Sequence, residues 1–433
     1  MNAIFTTTDI QLRKQRLAAA WQSILSNDEV VLIHSGTPIQ KPGGLDQNYP
    51  FLPHPSYFWL TGRRREGEVV LYSKNSGWIE FQKAYTRDQL VWEGNMHDLL
   101  VDDKGMDVST LDEYLKKNKF SQLYHLGQSG QPVTAGKTFD LRTALDQTRR
   151  KKDAAEIRFI KQLADIAGHG YGALKKALHP GITEKEVQVI YESEIFRRGA
   201  QTVPYDSIVG AGTNAAILHA LPTQRIINEN EFVLVDAGVD VYDYCVDITR
   251  TYGSSANMSA QHKALYQLVY SVQMECIELT KSGNFWRDVH SKAATLFTEG
   301  LLSMGILKGN LSDLIEKQVI SVFFPHGLGH LVGIRVRDTG HEENINPKTY
   351  FGARLRVDIQ LEEGHLITVE PGVYFIKALL EAADTRDRFN AFINWNELSK
   401  WMHIGGVRIE DNILVTKEGN ENLTQVVEKL ADI

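Results

Sequence analysis

The chain has 433 residues, 42% of them hydrophobic and 23% charged, and its formal net charge at pH 7 is −7. These values are typical of a globular protein of two or three domains, and the acidic balance gives no electrostatic reason to expect nucleic-acid binding. The two cysteines, Cys245 and Cys276, have no CxxC spacing, which argues against a disulfide framework and fits a reducing compartment.

The first 150 residues alternate helix-like and strand-like segments. The N-terminus lacks the apolar core of a signal peptide, and no run approaches the ~18–20 apolar residues of a membrane span, so we expect a cytoplasmic protein without membrane contact. The pattern predicts three elements here, a helix over 8–25 and buried strands over 29–36 and 68–73. We interpret this region as a small α/β domain, 1–150, that ends at the basic run "RRKK", a solvated linker or the lead-in to a helix.

The remaining residues, 151–433, mix longer helices with strands and predict an α+β domain. Asp153 and Glu156 have capping-box spacing before an apolar-periodic stretch, and Thr183 and Glu186 repeat that signal. A third helix is predicted over 261–279.

Two strand-like runs of this domain end in the same way, with an acid, a small or rigid residue and glycine. They are "FVLVDAG" and "LITVEPG", and each is followed by a second strand with its own acid, which suggests an internal duplication. Carboxylates buried together repel one another, and one or two divalent cations would remove that conflict. The four acids are Asp236, Asp247, Glu370 and Glu410.

The stretch "HGLGH" contributes His326 and His330, four positions apart. It is not the HExxH zinc motif, because glycines fill the spacing and no glutamate lies inside it. One imidazole with four carboxylates makes a five-ligand set rich in hard oxygen donors, which favours Mn²⁺, Co²⁺ or Mg²⁺ over structural zinc. Such a set suits two metal ions that share a water of lowered pKa.

At these residues the sequence resembles the pita-bread metallopeptidases: prolidase, aminopeptidase P and methionine aminopeptidase. The resemblance is strongest from about 155 to 416 and rests on the order and spacing of "TNAAILH", "VDAG", "DITRT", "HGLGH", "TVEPG" and "VRIED". It implies that His330, not His326, is the histidine ligand beside the four acids. It also implies a dinuclear site, with Mn²⁺ expected and Co²⁺ or Zn²⁺ as alternatives.

The segment "YPFLPHPSYFWLTG" resembles the creatinase-type N-terminal domain that precedes the catalytic domain in prolidase and aminopeptidase P. Simple methionine aminopeptidases lack that domain, and creatinase does not keep the metal ligands. The resemblance therefore implies a creatinase-like α/β domain, 1–150, and an internally duplicated pita-bread catalytic domain, 151–433.

The activity that the resemblance implies is hydrolysis of the Xaa-Pro bond of dipeptides by a bridging hydroxide, with a homodimer as the expected assembly. Glu370 would act as the proton carrier, and His326 and His219 would contact the substrate or intermediate. Tyr205 and Arg408 match further residues of the substrate site. Arg356, fourteen positions before Glu370, falls where prolidases place a substrate-binding arginine.

The sequence departs from the family pattern at Arg337, seven positions after His330, where the family usually has a third histidine. An arginine can hold a carboxylate or carbonyl oxygen but cannot exchange protons near pH 7. Two alternatives to the dipeptidase stay open: an aminopeptidase P that acts on longer Xaa-Pro peptides, and a non-catalytic peptide-binding protein of the same fold.

Overall fold

A five-stranded sheet organises the first of two compact units, 1–150 and 151–433, into which the chain divides. The computed structural model describes residues 4–92, 94, 105–128, 136–339 and 349–429. The helices of the first unit are α1 Thr7–Trp21, α2 Pro55–Thr61, α3 Arg87–Trp92, α4 Leu111–Asn118 and α5 Lys137–Arg150. Its strands are β1 Glu29–His34, β2 Val69–Ser73, β3 Gly77–Gln82, β4 Met106–Asp107 and β5 Gln122–Gly127.

The sheet has the order β4-β3-β2-β1-β5, in which β1 pairs antiparallel with β2 and parallel with β5. The apolar side chains of β1 and β2 are buried, as expected for strands covered on both faces. The predicted mixed α/β fold is confirmed, and so are the helix at the N-terminus and the two strands. Helix α1 ends at Trp21, four residues before the predicted end.

Three of the four residues of the basic run 149–152 are buried, so most of the run is not a solvated linker, although it does lead into the helix that begins at Ala154. Arg149 and Arg150 form the last turn of α5 and are each 5% exposed. Lys152, at 6% exposure, donates to Asp338 at 2.9 Å inside the second unit. Pairing with acceptors far away in the chain explains this burial, and composition alone cannot show such partners.

The second unit combines helices with short antiparallel sheets. Its helices are α6 Ala154–Ala177, α7 Glu184–Arg197, α8 Ala260–Leu279, α9 Trp286–Ser303, α10 Leu311–Glu316, α11 Lys377–Leu380, α12 Ala383–Phe389 and α13 Trp395–Leu398. Its strands are β6 Ile208–Ala211, β7 Phe232–Asp236, β8 Val239–Val241, β9 Tyr244–Val246, β10 Thr249–Gly253, β11 Thr349–Tyr350, β12 Ala353–Arg354, β13 Leu366–Val369, β14 Gly372–Tyr374, β15 Gly406–Arg408, β16 Asp411–Val415 and β17 Asn420–Asn422.

The two predicted capping boxes are confirmed at the N-termini of α6 and α7. The Asp153 carboxylate accepts from the backbone N–H of Glu156, and Thr183 does the same for Glu186, while each glutamate accepts in return. Gly199 follows α7 with a φ of 103°, a left-handed conformation that glycine adopts without strain. The third predicted helix is α8, which begins at Ala260.

The two halves of the second unit repeat one arrangement, as the predicted duplication requires. Strands β7 and β10 pair antiparallel around the hairpin β8–β9, and β13 and β16 pair antiparallel around the pair β14–β15. A bridge between Thr249 and Glu410 joins the halves, with the Glu410 N–H donating to the Thr249 carbonyl at 3.0 Å. Acids at corresponding strand ends are thereby brought to one place.

Among the described residues, no helix combines the length and the apolar character that crossing a membrane requires.

The buried pair of Lys152 and Asp338 supplies a stability prediction. Lys152→Met should lower the free energy of unfolding by about 3–5 kcal/mol, because it leaves the Asp338 carboxylate buried without its cation. The control Lys151→Met removes the neighbouring lysine, whose side chain is 48% exposed and pairs with exposed Glu362, and should cost less than ~1 kcal/mol. Urea unfolding followed by tryptophan fluorescence measures both variants. Equal losses would contradict a special role for the buried pair.

Candidate metal centre

The five predicted ligands come from separate strand ends and one loop, and all line a single cavity of about 510 Å³. Asp236 ends β7, Asp247 lies between β9 and β10, Glu370 follows β13 and Glu410 lies between β15 and β16. The structure therefore brings together the residues that the motifs select. Oxygen or nitrogen atoms of Asp247, His330 and Glu410 all lie within 4.8 Å of one another.

The histidine motif is held along strand β13. The His330 N–H donates to Thr368 Oγ1 at 3.0 Å, and the Thr368 N–H donates to the His330 carbonyl at 2.8 Å. A Cβ at Gly329 would lie 1.9 Å from the Thr368 carbonyl oxygen, so only glycine permits this approach. The glycine before His330 thus brings the imidazole close to the acids.

The hydrogen bonds of His330 fix which nitrogen faces the acids. Nδ1 lies 3.1 Å from the Leu331 carbonyl oxygen, which can only accept, so Nδ1 carries the hydrogen. Nε2 is 3.3 Å from Asp247 Oδ2 and 3.8 Å from Glu370 Oε1. In the neutral ring its lone pair therefore points at two carboxylates, which is the geometry of a metal ligand whose other nitrogen is anchored by a carbonyl.

The acids are crowded, and all of them except the partly exposed Glu370 are buried. The single hydroxyl of Tyr205 lies 2.7 Å from Asp236 Oδ1 and 2.5 Å from Asp247 Oδ1, although it has only one hydrogen to donate. Burial raises the pKa of Asp236, Glu370 and Glu410 above their usual values, and repulsion from Asp247 adds to the rise at Glu410.

Asp247 and His330 show the opposite shifts. Burial alone would disfavour both charges, but a protonated His330 ring donates from Nε2 to Asp247 and attracts it, which lowers the pKa of Asp247 and raises that of His330. A positive charge placed among the acids would therefore stabilise the site. One imidazole lone pair and four carboxylates fit divalent cations, and Asp236, Asp247, His330, Glu370 and Glu410 would hold them.

A hydrogen-bonded chain behind the acids was not predicted from the sequence. Arg408 donates from one terminal nitrogen to Asp236 Oδ2 at 2.6 Å and from the other to the Tyr374 hydroxyl at 2.9 Å. The Tyr374 hydroxyl lies 2.8 Å from His326 Nε2, and His326 Nδ1 lies 2.9 Å from the Gly327 carbonyl oxygen. Nδ1 is therefore the protonated nitrogen, and Tyr374 donates to Nε2.

This chain sets the state of His326. Burial, together with the nearby charge of Arg408, lowers the pKa of His326 to about 3, so the ring is neutral near pH 7. Its Nδ1 is 3.9 Å from Glu370 Oε2. Tyr374 ends β14, and its role depends on contacts with His326 and Arg408 that no local sequence pattern shows.

The predicted substrate residues fall into two groups. His219, Arg337 and Arg356 line the cavity and are exposed. Arg408, which is 3% exposed, and Tyr205 also line it, but both are bonded to the acids. Their substrate-binding roles stay predictions.

A duplicated α+β domain with an oxygen-rich donor set at the centre defines a metallohydrolase of the pita-bread fold. The chain belongs to Metallopeptidase family M24, whose sequence profile matches residues 158–417.

Curated relatives extend the match over most of the chain. A probable Xaa-Pro aminopeptidase pepP of Neosartorya fischeri is 36% identical over 422 residues, which cover 90% of this chain and 88% of the relative. The protein of the same name from Botryotinia fuckeliana is also 36% identical, over 293 residues that cover 68% of this chain and 64% of the relative.

Among solved structures, aminopeptidase P from E. coli with the inhibitor Pro-Leu superposes with a TM-score of 0.78 at 23% identity, covering 98% of this chain and 96% of that one. Pseudomonas aeruginosa aminopeptidase PepP gives 0.78 at 22% identity, with the same coverage. At these identities the likeness establishes the fold.

The two glycines of the histidine motif supply a matched prediction. Gly329→Ala should destabilise the protein by about 1–3 kcal/mol or more, because its Cβ would overlap the Thr368 carbonyl. Gly327→Ala should be tolerated, since the nearest atom to its Cβ is Leu355 Cδ2 at 3.4 Å. Thermal and urea unfolding of the two variants compare them directly. A Gly329→Ala variant as stable as Gly327→Ala would show that the loop is not fixed against β13.

Proposed function

We propose that the protein is a metal-dependent Xaa-Pro aminopeptidase that removes an N-terminal residue preceding proline. The observation that carries this proposal is the convergence of four carboxylates and the His330 lone pair on one cavity. The relatives named Xaa-Pro aminopeptidase support it. They favour this activity over the dipeptidase activity that the motifs first suggested.

The ligand set would hold two divalent cations, for which we propose Mn²⁺ because the donors are mostly carboxylate oxygens. When bound, the cations would polarise the scissile carbonyl and lower the pKa of a coordinated water. Asp236 and Asp247 come from one half of the domain and Glu370 and Glu410 from the other, so the metal site would also link the halves.

The other groups orient the substrate and move its proton. Glu370, whose pKa is raised by burial, would accept the proton of the attacking water and pass it to the proline nitrogen. That nitrogen carries no hydrogen in the peptide, so it must be protonated to leave. His326, held neutral, and His219 would hydrogen-bond the substrate carbonyl or the intermediate.

A second candidate is the dipeptidase. It is favoured by Arg356, an exposed guanidinium of the cavity lining that could pair with the carboxylate of a dipeptide. The homodimer and the cytoplasmic location that the sequence suggests stay predictions.

The metal proposal predicts coupled losses of metal and activity. Asp247→Asn and His330→Ala should each lower metal content and reduce kcat/KM for Ala-Pro-Ala by at least about 100-fold, because changing residues that only orient metal ligands already costs about 10–100-fold. Inductively coupled plasma mass spectrometry measures the metal. The control Glu362→Gln changes a 55% exposed surface acid and should alter neither quantity. Full activity after exhaustive chelation would refute metal dependence.

Substrate length separates the two candidate enzymes. An aminopeptidase should cleave Ala-Pro-Ala and Ala-Pro-Ala-Ala at least as well as Ala-Pro, whereas a dipeptidase should cleave only Ala-Pro efficiently. Matched peptides with alanine in place of proline test the proline requirement. The hydrolysis rates are measured with Mn²⁺, Co²⁺ and Zn²⁺ in turn, by chromatography of the released amino acid. If the protein cleaves no Xaa-Pro peptide with any of the three metals, both proposed activities are rejected.

A further inference from the structure

The backbone of Asp247, a proposed metal ligand, lies in a gap between two strands. Strand β9 ends at Val246 and β10 begins at Thr249, so the ladders that the structure describes do not pair the N–H and carbonyl of Asp247. Both groups bond instead to the side-chain amide of Asn412, whose Oδ1 accepts from the N–H at 3.1 Å and whose Nδ2 donates to the carbonyl. Asn412 is fully buried, and without its amide these two backbone groups would lose their partners inside the protein.

The other half of the second unit has the corresponding arrangement at Glu410, which lies between β15 and β16. The Glu410 N–H donates to the Thr249 carbonyl at 3.0 Å, and the Glu410 carbonyl accepts from Arg250 Nη1 at 2.6 Å. Arg250 Nη2 donates to Asp411 Oδ1 at 2.7 Å, in an ion pair whose two side chains are buried. Each half thus supplies the groups that hold the backbone of an acid in the other half.

Asn412 is itself held in a fixed position. It lies on the central strand of the sheet β13-β16-β17, directly opposite Thr368, and its N–H donates to Thr424 Oγ1 at 3.0 Å. Thr368 bonds the backbone of His330 through both its hydroxyl and its N–H. One pair of facing residues in this sheet therefore holds the backbone of both Asp247 and His330.

The residues held in this way are those that the structure gathers most tightly around a possible cation. Oxygen or nitrogen atoms of Asp247, His330 and Glu410 lie within 4.8 Å of one another. Metal–ligand bonds tolerate deviations of only about 0.2 Å. A shift in the backbone of Asp247 would move its carboxylate relative to ligands that belong to the other half, and would therefore weaken the binding of a shared cation.

We propose that Asn412 and Arg250 are positioning residues of the metal site, each holding the backbone of a ligand from the other half of the unit. Asn412 holds Asp247, and Arg250 holds Glu410. Neither is among the described residues that line the cavity, so both act through the ligands rather than on a substrate. The inference rests on the metal site of the proposed function and adds residues outside the cavity that determine its metal affinity.

The variant Asn412→Leu removes the amide and keeps a side chain of similar size. Calorimetric titration of metal-depleted protein with Mn²⁺ should give a Kd about 10–100-fold above that of the wild type, the range found for residues that orient metal ligands. The matched control is Asn420→Leu, which removes another side-chain bond of the same sheet, from Asn420 Nδ2 to the Ile277 carbonyl at 2.6 Å. The control should bind Mn²⁺ as the wild type does, even if it is less stable to urea.

Arg250→Lys tests the opposite contact and decides the matter if Asn412→Leu does not fold, as judged by circular dichroism. The lysine keeps a charge for Asp411, but one ammonium cannot replace the bonds that two guanidinium nitrogens make to Asp411 and to the Glu410 carbonyl. The Kd for Mn²⁺ should rise in this variant too. If either variant folds and binds Mn²⁺ as tightly as Asn420→Leu, the proposal is overturned.

Hydrogen exchange gives a second readout, which needs no metal. In the metal-free wild type the Asp247 N–H should exchange slowly, because it is buried and bonded to Asn412. Mass spectrometry of peptides that contain Asp247 should show faster exchange in Asn412→Leu and unchanged exchange in Asn420→Leu. Rapid exchange of this N–H in the wild type would contradict the proposed role of Asn412.

Metal binding and hydrogen exchange require no substrate, so this inference and the proposed activity can fail separately. If the wild type binds Mn²⁺ but cleaves no Xaa-Pro peptide, the activity fails and the variants still decide the positioning roles. If the wild type cleaves these peptides and Asn412→Leu binds Mn²⁺ equally well, the activity stands and the positioning role fails. A wild type that binds none of Mn²⁺, Co²⁺ and Zn²⁺ would overturn both.

Discussion

Three buried carboxylates, the partly exposed Glu370 and the imidazole of His330 meet in one cavity of the second unit, and this concentration of acids is the constraint on which the rest of the site depends. Buried acids that face one another are unfavourable unless cations or donors compensate them. Arg408 and Tyr205 supply part of that compensation at Asp236 and Asp247. A bound metal ion would compensate the negative charge that these two donors leave.

The scaffold keeps these groups in place with backbone interactions. Antiparallel pairing places Asp236 opposite Thr249 and Val369 opposite Asp411, so the strand ends that bear the acids are set by register. The Glu410 N–H to Thr249 carbonyl bond joins the two halves at the site itself. Rigid strand positions suit a function that needs fixed ligand distances, and loops would hold the same side chains less accurately.

The hydrogen-bonded chain from Arg408 through Tyr374 to His326 fixes further side chains behind the acids. Because the Tyr374 hydroxyl accepts from Arg408, its hydrogen is directed to His326, which fixes the ring orientation and keeps Nδ1 toward Glu370. One arginine thus contacts an acid of the first half and orients a histidine of the second. Arg337 and Arg356 line the same cavity and have no hydrogen bond or ion pair among the residues that the structure describes.

Much of the fold was accessible from local signals. Capping boxes at Asp153 and Thr183, the apolar run of β1 and the acid-ended strands depend on neighbouring residues, whose preferences act over a few positions. The burial of Lys152 was not accessible, because its partner Asp338 lies 186 positions away. Tyr374 was missed for a related reason, since its importance comes from contacts with Arg408 and His326.

The sequence by itself determined which residue types the site would contain, because the order of the acids, the HGLGH motif and their spacing resemble one family closely. Only the tertiary structure decided how each is used. The close approach of Gly329 to Thr368 and the pairing of Arg408 with Asp236 depend on atoms that are distant in the chain and adjacent in space. Sequence pattern selects side chains, whereas packing sets their distances, hydrogen bonds and charges.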